Sequence, residues 1–160
     1  MHTYREATER DLAAICELGL EVNALHYSQF PNIFAGPGAP ERDASFWRSS
    51  IGKEDAVVLV AELGETVVGF VSVTVATETH TLLKPMRYGR VGSVAISESH
   101  RGKGIGKKLM SLAHDWVAQR GGTEVRLNVW KFNVKALGLY EELGYEVRSY
   151  NLAKSLRSGA

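Results

Sequence analysis

The chain has 160 residues, a length that suits one domain with a sizeable core. Its 44% hydrophobic and 23% charged residues and net charge of +1 exclude a disordered acidic chain and a basic nucleic-acid binder. The one cysteine, Cys16, excludes an internal disulfide and a cysteine-built zinc cage, and reads as a small core residue.

Residues 2–7 read as a short strand. Thr8 follows as an N-cap, with Asp11 in a capping-box position. Leu12, Ile15, Gly19 and Val22 mark one face of a helix that runs to about Leu25. From 26 to 40 the pattern breaks at Pro31, Gly36, Pro37, Gly38 and Pro40. This loop carries His26, Tyr27, Phe30, Ile33 and Phe34, and so is either a flap over the core or the wall of a substrate pocket. Residues 42–51 read as a short helix with Phe46 and Trp47 inward. Residues 56–63 and 66–75 form a hairpin about Gly64-Glu65. Residues 77–87, with Glu78 and His80, are a polar connection.

The stretch 89–110 organises the rest. Its first half is β-branched and small, hence a strand. Ile105, Leu109, Leu112 and Trp116 then lie on one helical face. Between them stand Arg101, Gly102, Lys103, Gly104, Ile105, Gly106, Lys107 and Lys108. A strand, a Gly-rich basic loop and a helix N-terminus form a device for holding phosphate, because the backbone can approach closely and the first helical amides lack internal partners. Lys107 is followed by Lys108 and residue 101 is Arg, so this is not a Walker-type P-loop. The strict alternation of Gly102, Gly104 and Gly106 does not match a dinucleotide fingerprint either. Gly121 caps the helix. Residues 125–130 are a strand parallel to the central one, residues 133–143 a helix ended by Gly144, residues 145–152 the last strand, and 155–160 a frayed tail. One domain over residues 1–160 is expected.

Arg101-x-x-Gly104-x-Gly106 resembles the Arg/Gln-x-x-Gly-x-Gly/Ala loop of the GCN5-related N-acetyltransferases (GNAT), and Tyr4 to Asp11 resembles that family's opening strand and helix start. Asn133, Ala136, Tyr140, Gly144 and Tyr145 repeat the family's downstream Asn-x-x-Ala-x-x-x-Tyr-x-x-x-Gly-Phe/Tyr pattern. The resemblance implies an α/β fold: a mixed, mostly antiparallel sheet of six or seven strands, a splayed parallel central pair and helices on both faces. It implies acetyl-CoA as co-substrate, no metal, and an amine of a small molecule or peptide as acceptor, attacked directly in a ternary complex. Amides from Gly102 to Lys107 would hold the pyrophosphate. Val94, Ala95 and Ile96 would line the pantetheine arm, and an N–H near Val94 would polarise the acetyl carbonyl. Asn133 would contact the cofactor, cap its helix, or both. Tyr140 would protonate the departing thiolate. Some relatives place a glutamate base early on the central strand, where this chain has Arg90; Glu78, His80, His26 or a water chain are the alternatives. The segment with His26, Tyr27 and Phe34 would line the acceptor site. The rival expectation is a non-catalytic acyl-CoA-binding sensor on the same fold. No apolar run reaches the ~18 residues of a membrane span, and the start of the chain lacks the pattern of a signal peptide, so a cytoplasmic protein without membrane or nucleic-acid partners is expected. A homodimer is compatible with the sequence.

Overall fold

The order of elements is β1 (His2–Glu6), α1 (Leu12–Gln29), α2 (Ala44–Arg48), β2 (Ala56–Leu63), β3 (Thr66–Thr77), β4 (Arg87–Ile96), α3 (Ile105–Gln119), β5 (Val125–Arg126) and α4 (Val134–Glu142). These come from a computed structural model, which describes residues 1–157. They divide into two compact units, residues 1–128 and the residues from 129 onward.

In the first unit the sheet runs β1-β2-β3-β4-β5, antiparallel except for the parallel pair β4–β5. Val58, Val60, Phe70 and Ala95 face one way and pack under Leu12, Ile15, Cys16 and Leu18 of α1 and Trp47 of α2. The other face is covered by α3, whose Ile105, Leu109, Met110, Ala113, Trp116 and Val117 are buried. The parallel pair and the helices on both faces are as expected from the sequence.

Asp11 explains how β1 turns into α1. It accepts the Thr8 N–H at 2.8 Å, closing the expected capping box across a 3₁₀ turn at Glu9–Asp11. Its two oxygens accept from the Arg5 guanidinium at 2.8 and 2.9 Å, and Arg5 also donates to Glu62 at 3.0 Å. The Arg5 hydrogen bond outweighs burial and holds the Asp11 carboxyl below the usual carboxylate range. A lowered carboxyl contributes stability above its unfolded pKa, near 3.9, and loses it as pH falls through the folded value. Asp11→Ala should therefore cost about 2 kcal/mol at pH 7. In melting curves, the gap between wild type and variant should narrow below about pH 4; a gap independent of pH would remove the ionised carboxylate from this account.

Trp47 decides a second point. A Cβ added at Gly19 of α1 would stand 2.6 Å from its ring. Gly19→Ala should thus destabilise by about 1–3 kcal/mol through overpacking, although alanine is the better helix former. A variant that melts higher than wild type would show that the ring has room to move.

Several expectations need correction. α1 extends past Leu25 to Gln29, because nothing breaks it until Phe30, the residue before Pro31, leaves the helix at φ −135° and ψ 70°. His26 and Tyr27 therefore stand on α1, not in a loop. Only one of two adjacent helical residues can point inward: Trp47 is 7% exposed and Phe46 is 66% exposed. The sheet has five strands among the described residues, not six or seven. The strand expected over 125–130 pairs only at Val125–Arg126, and residues 145–152 form no strand. A strand exists through ladder hydrogen bonds to a neighbour, not through its side-chain pattern. In 145–152, moreover, Val147, Tyr150 and Leu152 are exposed and gain nothing from a pleated face. Of the expected tail, residues 155–157 are exposed and without regular structure, and 158–160 lie outside the described residues.

Candidate active site

β4 carries the site. It pairs with β3 as far as Ile96↔Gly69, but with β5 only at Gly89↔Val125 and Arg90↔Arg126. From Val91 to Ile96 its second edge has no ladder partner among the described residues. The register with β3 slips between Ser72↔Ser93 and Val73↔Val91, so Gly92 is the extra residue of a β-bulge. The buried Ser72 makes the bulge specific: its Oγ accepts the Ser93 N–H at 3.0 Å. A Cβ at position 92 would stand 2.9 Å from that oxygen. Sequence reasoning missed Ser72; its signal was a small polar residue between Val71 and Val73, with Gly92 in the neighbouring strand. Ala95 is buried in the α1 core, whereas Val94 and Ile96 are half-buried beside the unpaired edge. Such an edge can take an extended chain as an added strand.

Past Ile96 the chain is pinned before it turns. The Ser97 N–H donates to the Val68 carbonyl at 2.8 Å, and a 3₁₀ turn follows at Glu98–His100. Arg101 Nε donates to the Ile96 carbonyl at 3.0 Å, and another guanidinium nitrogen lies 3.9 Å from Glu21 of α1. Arg101 thus staples the loop to the end of β4. Gly102 and Gly104 adopt φ of 75° and 80°, and a Cβ on either would meet nothing within 4 Å. Glycine here serves two needs, a left-handed backbone and bare peptide on an open surface. Gly104 is the N-cap of α3 and no side chain caps this end. The opening amides of α3 therefore have no acceptor within the helix, and the dipole adds positive potential. Lys103, Lys107 and Lys108 are exposed around them, while buried Ile105 anchors the first turn. Bare peptide, helix terminus and surrounding cations fit the pyrophosphate of CoA.

The residues expected at the acceptor separate into two groups. His26 Nδ1 lies 2.8 Å from the Val22 carbonyl and its ring 5.0 Å from that of Phe34. Tyr27 packs against Gly36, and Asn23 donates to the Ala35 carbonyl at 2.8 Å. The segment after α1 thus folds back on the helix. Leu20, Asn23, Ala24 and residues 35–38 line a shallow pocket of about 130 Å³. Glu78 and His80 lie elsewhere, in the connection that leads into β4. Ten strand residues, about 33 Å, separate the start of β4 from its loop end, so these two are not brought to the Gly-rich loop. The Glu78 carboxylate accepts the His80 N–H at 3.4 Å and an Arg126 N–H at 3.4 Å. These contacts hold it below the usual carboxylate range and make it a poor base. Among the described residues, no group of three or more His, Cys, Asp or Glu is placed to hold a metal ion, and no helix is long and apolar enough to cross a membrane.

The second unit holds the other motif. Asn133 caps α4, its Oδ1 accepting the Ala136 N–H at 3.4 Å. Gly144 ends the helix with φ 92°. The Tyr140 ring centroid stands 5.8 Å from that of Tyr145 at 59°. Burial raises the Tyr140 phenol above its ordinary value and pushes Tyr145 up to about 12. Tyr140 is therefore protonated throughout the neutral range.

The sheet is mixed, its central strand β4 is bulged, and an unpaired edge of that strand leads to a glycine loop at a helix terminus. The chain belongs to the acetyltransferase (GNAT) family, whose family model matches residues 20–145. It is 27% identical over 142 residues to an uncharacterized N-acetyltransferase, YhfO, of Bacillus subtilis, covering 89% of this chain and 88% of that one. Among solved structures, a mutant of the BH1408 protein of Bacillus halodurans superposes with TM-score 0.90 at 20% identity, covering 97% of this chain and 99% of that one. The aminoglycoside 6'-N-acetyltransferase AAC(6')-Iy, solved with a CoA bisubstrate analog, superposes with TM-score 0.74 at 13% identity, over 98% of this chain and 99% of that one.

Proposed function

We propose that this protein transfers the acetyl group of acetyl-CoA to an amine by direct attack in a ternary complex. The observation that carries this reading is the junction of β4 and α3, where Gly102 and Gly104 leave open peptide at a helix N-terminus directly beyond an unpaired strand edge. Acetyl-CoA supplies the acyl group as an activated thioester. Amides of residues 102–107 hold its pyrophosphate, with Lys103 and Lys107 screening charge. The free edge of β4 at Val94 and Ile96 hydrogen-bonds the pantetheine arm, and a backbone N–H beside the bulge polarises the acetyl carbonyl.

The acceptor must lose one proton to become a nucleophile. Its nitrogen then bonds to the carbonyl carbon as the carbon–sulfur bond breaks, and a second nitrogen proton leaves. Tyr140 donates its phenolic proton to the sulfur and is reprotonated from solvent. Glu78 is ion-paired to Arg126, which leaves His26, His80 or water to take the acceptor's proton. Cys16 is buried in the α1 core, and burial raises its thiol pKa, so it is unsuited to forming an acyl-enzyme. The test is a panel of amines, aminoglycosides included, incubated with acetyl-CoA and read by thiol release. At least one amine should give turnover with formation of its acetyl amide; CoA binding without transfer to any amine would leave a sensor.

A further inference from the structure

We propose that the acceptor carries an anionic group, a carboxylate or phosphate, and that Arg90 is the counter-charge that selects it; this rests on the acetyl-transfer reading above. Along β3 and β4 the side chains toward α3 are buried: Val73, Val75 and Val91. In the same stretch Thr74, Ala76, Arg90 and Gly92 are exposed. The α1 core on that face is built on Val58, Val60, Phe70 and Ala95, so within this unit α1 and α2 do not bury the sheet beside the bulge. An exposed arginine on a central strand contributes little to a sheet, where β-branched residues pack better.

Arg90 and Arg126 are register partners on this face. Their guanidinium carbons lie 5.9 and 3.8 Å from the centroid of the Tyr88 ring. Like charges on neighbouring strands oppose each other. The Arg126 charge is met by Glu124 at 2.6 Å and Glu78 at 3.4 Å. Arg90 has no ion pair among the described residues. Among the described residues Arg90 thus stands on this face as a cation without an ion pair, two positions before the bulge and directly before the free edge of β4. An amine that attacks beside Val94 from this face lays the rest of its body over Gly92 toward Arg90. A guanidinium recognises carboxylate and phosphate in a fork geometry and repels a polycation.

The experiment compares kcat/KM with acetyl-CoA for four acceptors: an amine bearing a carboxylate, its neutral amide, an aminoalkyl phosphate and a polyamine. The carboxylate or the phosphate should exceed the neutral amide by about 10-fold or more, the size of one charge-assisted hydrogen bond, and the better of the two identifies the anion. Arg90→Gln should abolish that ratio mainly through KM, and Arg90→Glu should invert it toward the polyamine. Melting curves check folding, and calorimetry with CoA checks the cofactor site. A wild type that favours the amide or the polyamine, or a ratio unmoved in a folded Arg90→Gln, overturns the inference alone. CoA binding with no acetylation of any of the four also overturns it. Failure to bind CoA removes the acetyl-transfer reading and this one with it.

Discussion

Tyr140→Phe is expected to slow the chemical step by roughly 100-fold while acetyl-CoA affinity hardly changes. The substitution keeps the ring, and with it the packing against Tyr145 5.8 Å away. It removes only the hydroxyl. Burial raises the Tyr140 phenol above its ordinary value of 10, so wild type should lose no rate from this group below about pH 10. A thiolate is a fair leaving group, with a model thiol pKa of about 8.5, so the need for a proton falls as pH rises. The deficit of the Phe variant should therefore be largest near neutrality and shrink above about pH 9. Single-turnover acetylation across pH, with thermal melting as control, measures this. A folded variant with the wild-type rate at every pH would leave Tyr140 a packing residue, and the sensor reading would gain ground.

Gly104→Asp is expected to weaken CoA binding by about 100-fold while the fold persists. An added Cβ at Gly104 meets nothing within 4 Å, so the side chain enters open space rather than the core. Its φ of 80° and ψ of 7° are left-handed, which costs an ordinary L-residue roughly 1–2 kcal/mol, and aspartate less because it visits this region more readily. Melting should fall by only a few degrees. The binding loss has another source: a carboxylate now stands where pyrophosphate would receive charge-assisted hydrogen bonds worth about 1.5–3 kcal/mol each. Gly104→Ala separates the two effects, because it carries the backbone strain without the charge and should lose far less affinity. Calorimetry with CoA reads both variants. Equal affinity for wild type and the Asp variant would remove the loop from the cofactor site.

The two variants address different parts of the chain, and both were chosen on motifs visible in one dimension. Spacing sufficed because each motif is local. Gly102 and Gly104 must take positive φ wherever the rest of the chain lies, and Asn133 caps a helix that begins at the next residue. The Thr8–Asp11 box, the β2–β3 hairpin and the burial of Cys16 were legible for the same reason: each follows from contacts a few residues apart or from one dominant property.

What the sequence did not decide is everything set by neighbours distant along the chain. Glu78 was one of several candidate bases; Arg126, 48 residues away in sequence, turns it into an ion-paired carboxylate. Ser72 had no apparent role until the register put its hydroxyl under the Gly92 bulge. Residues 145–152 read as a strand but have no ladder partner among the described residues. Arg90 was conspicuous only as a missing glutamate; it took the pairing with Arg126, and the two carboxylates that neutralise Arg126, to make Arg90 a cation without an ion pair among the described residues. Local backbone preference acts along the chain and can be read there. Pairing register and the distribution of charge across strands arise only once the sheet has brought those residues together.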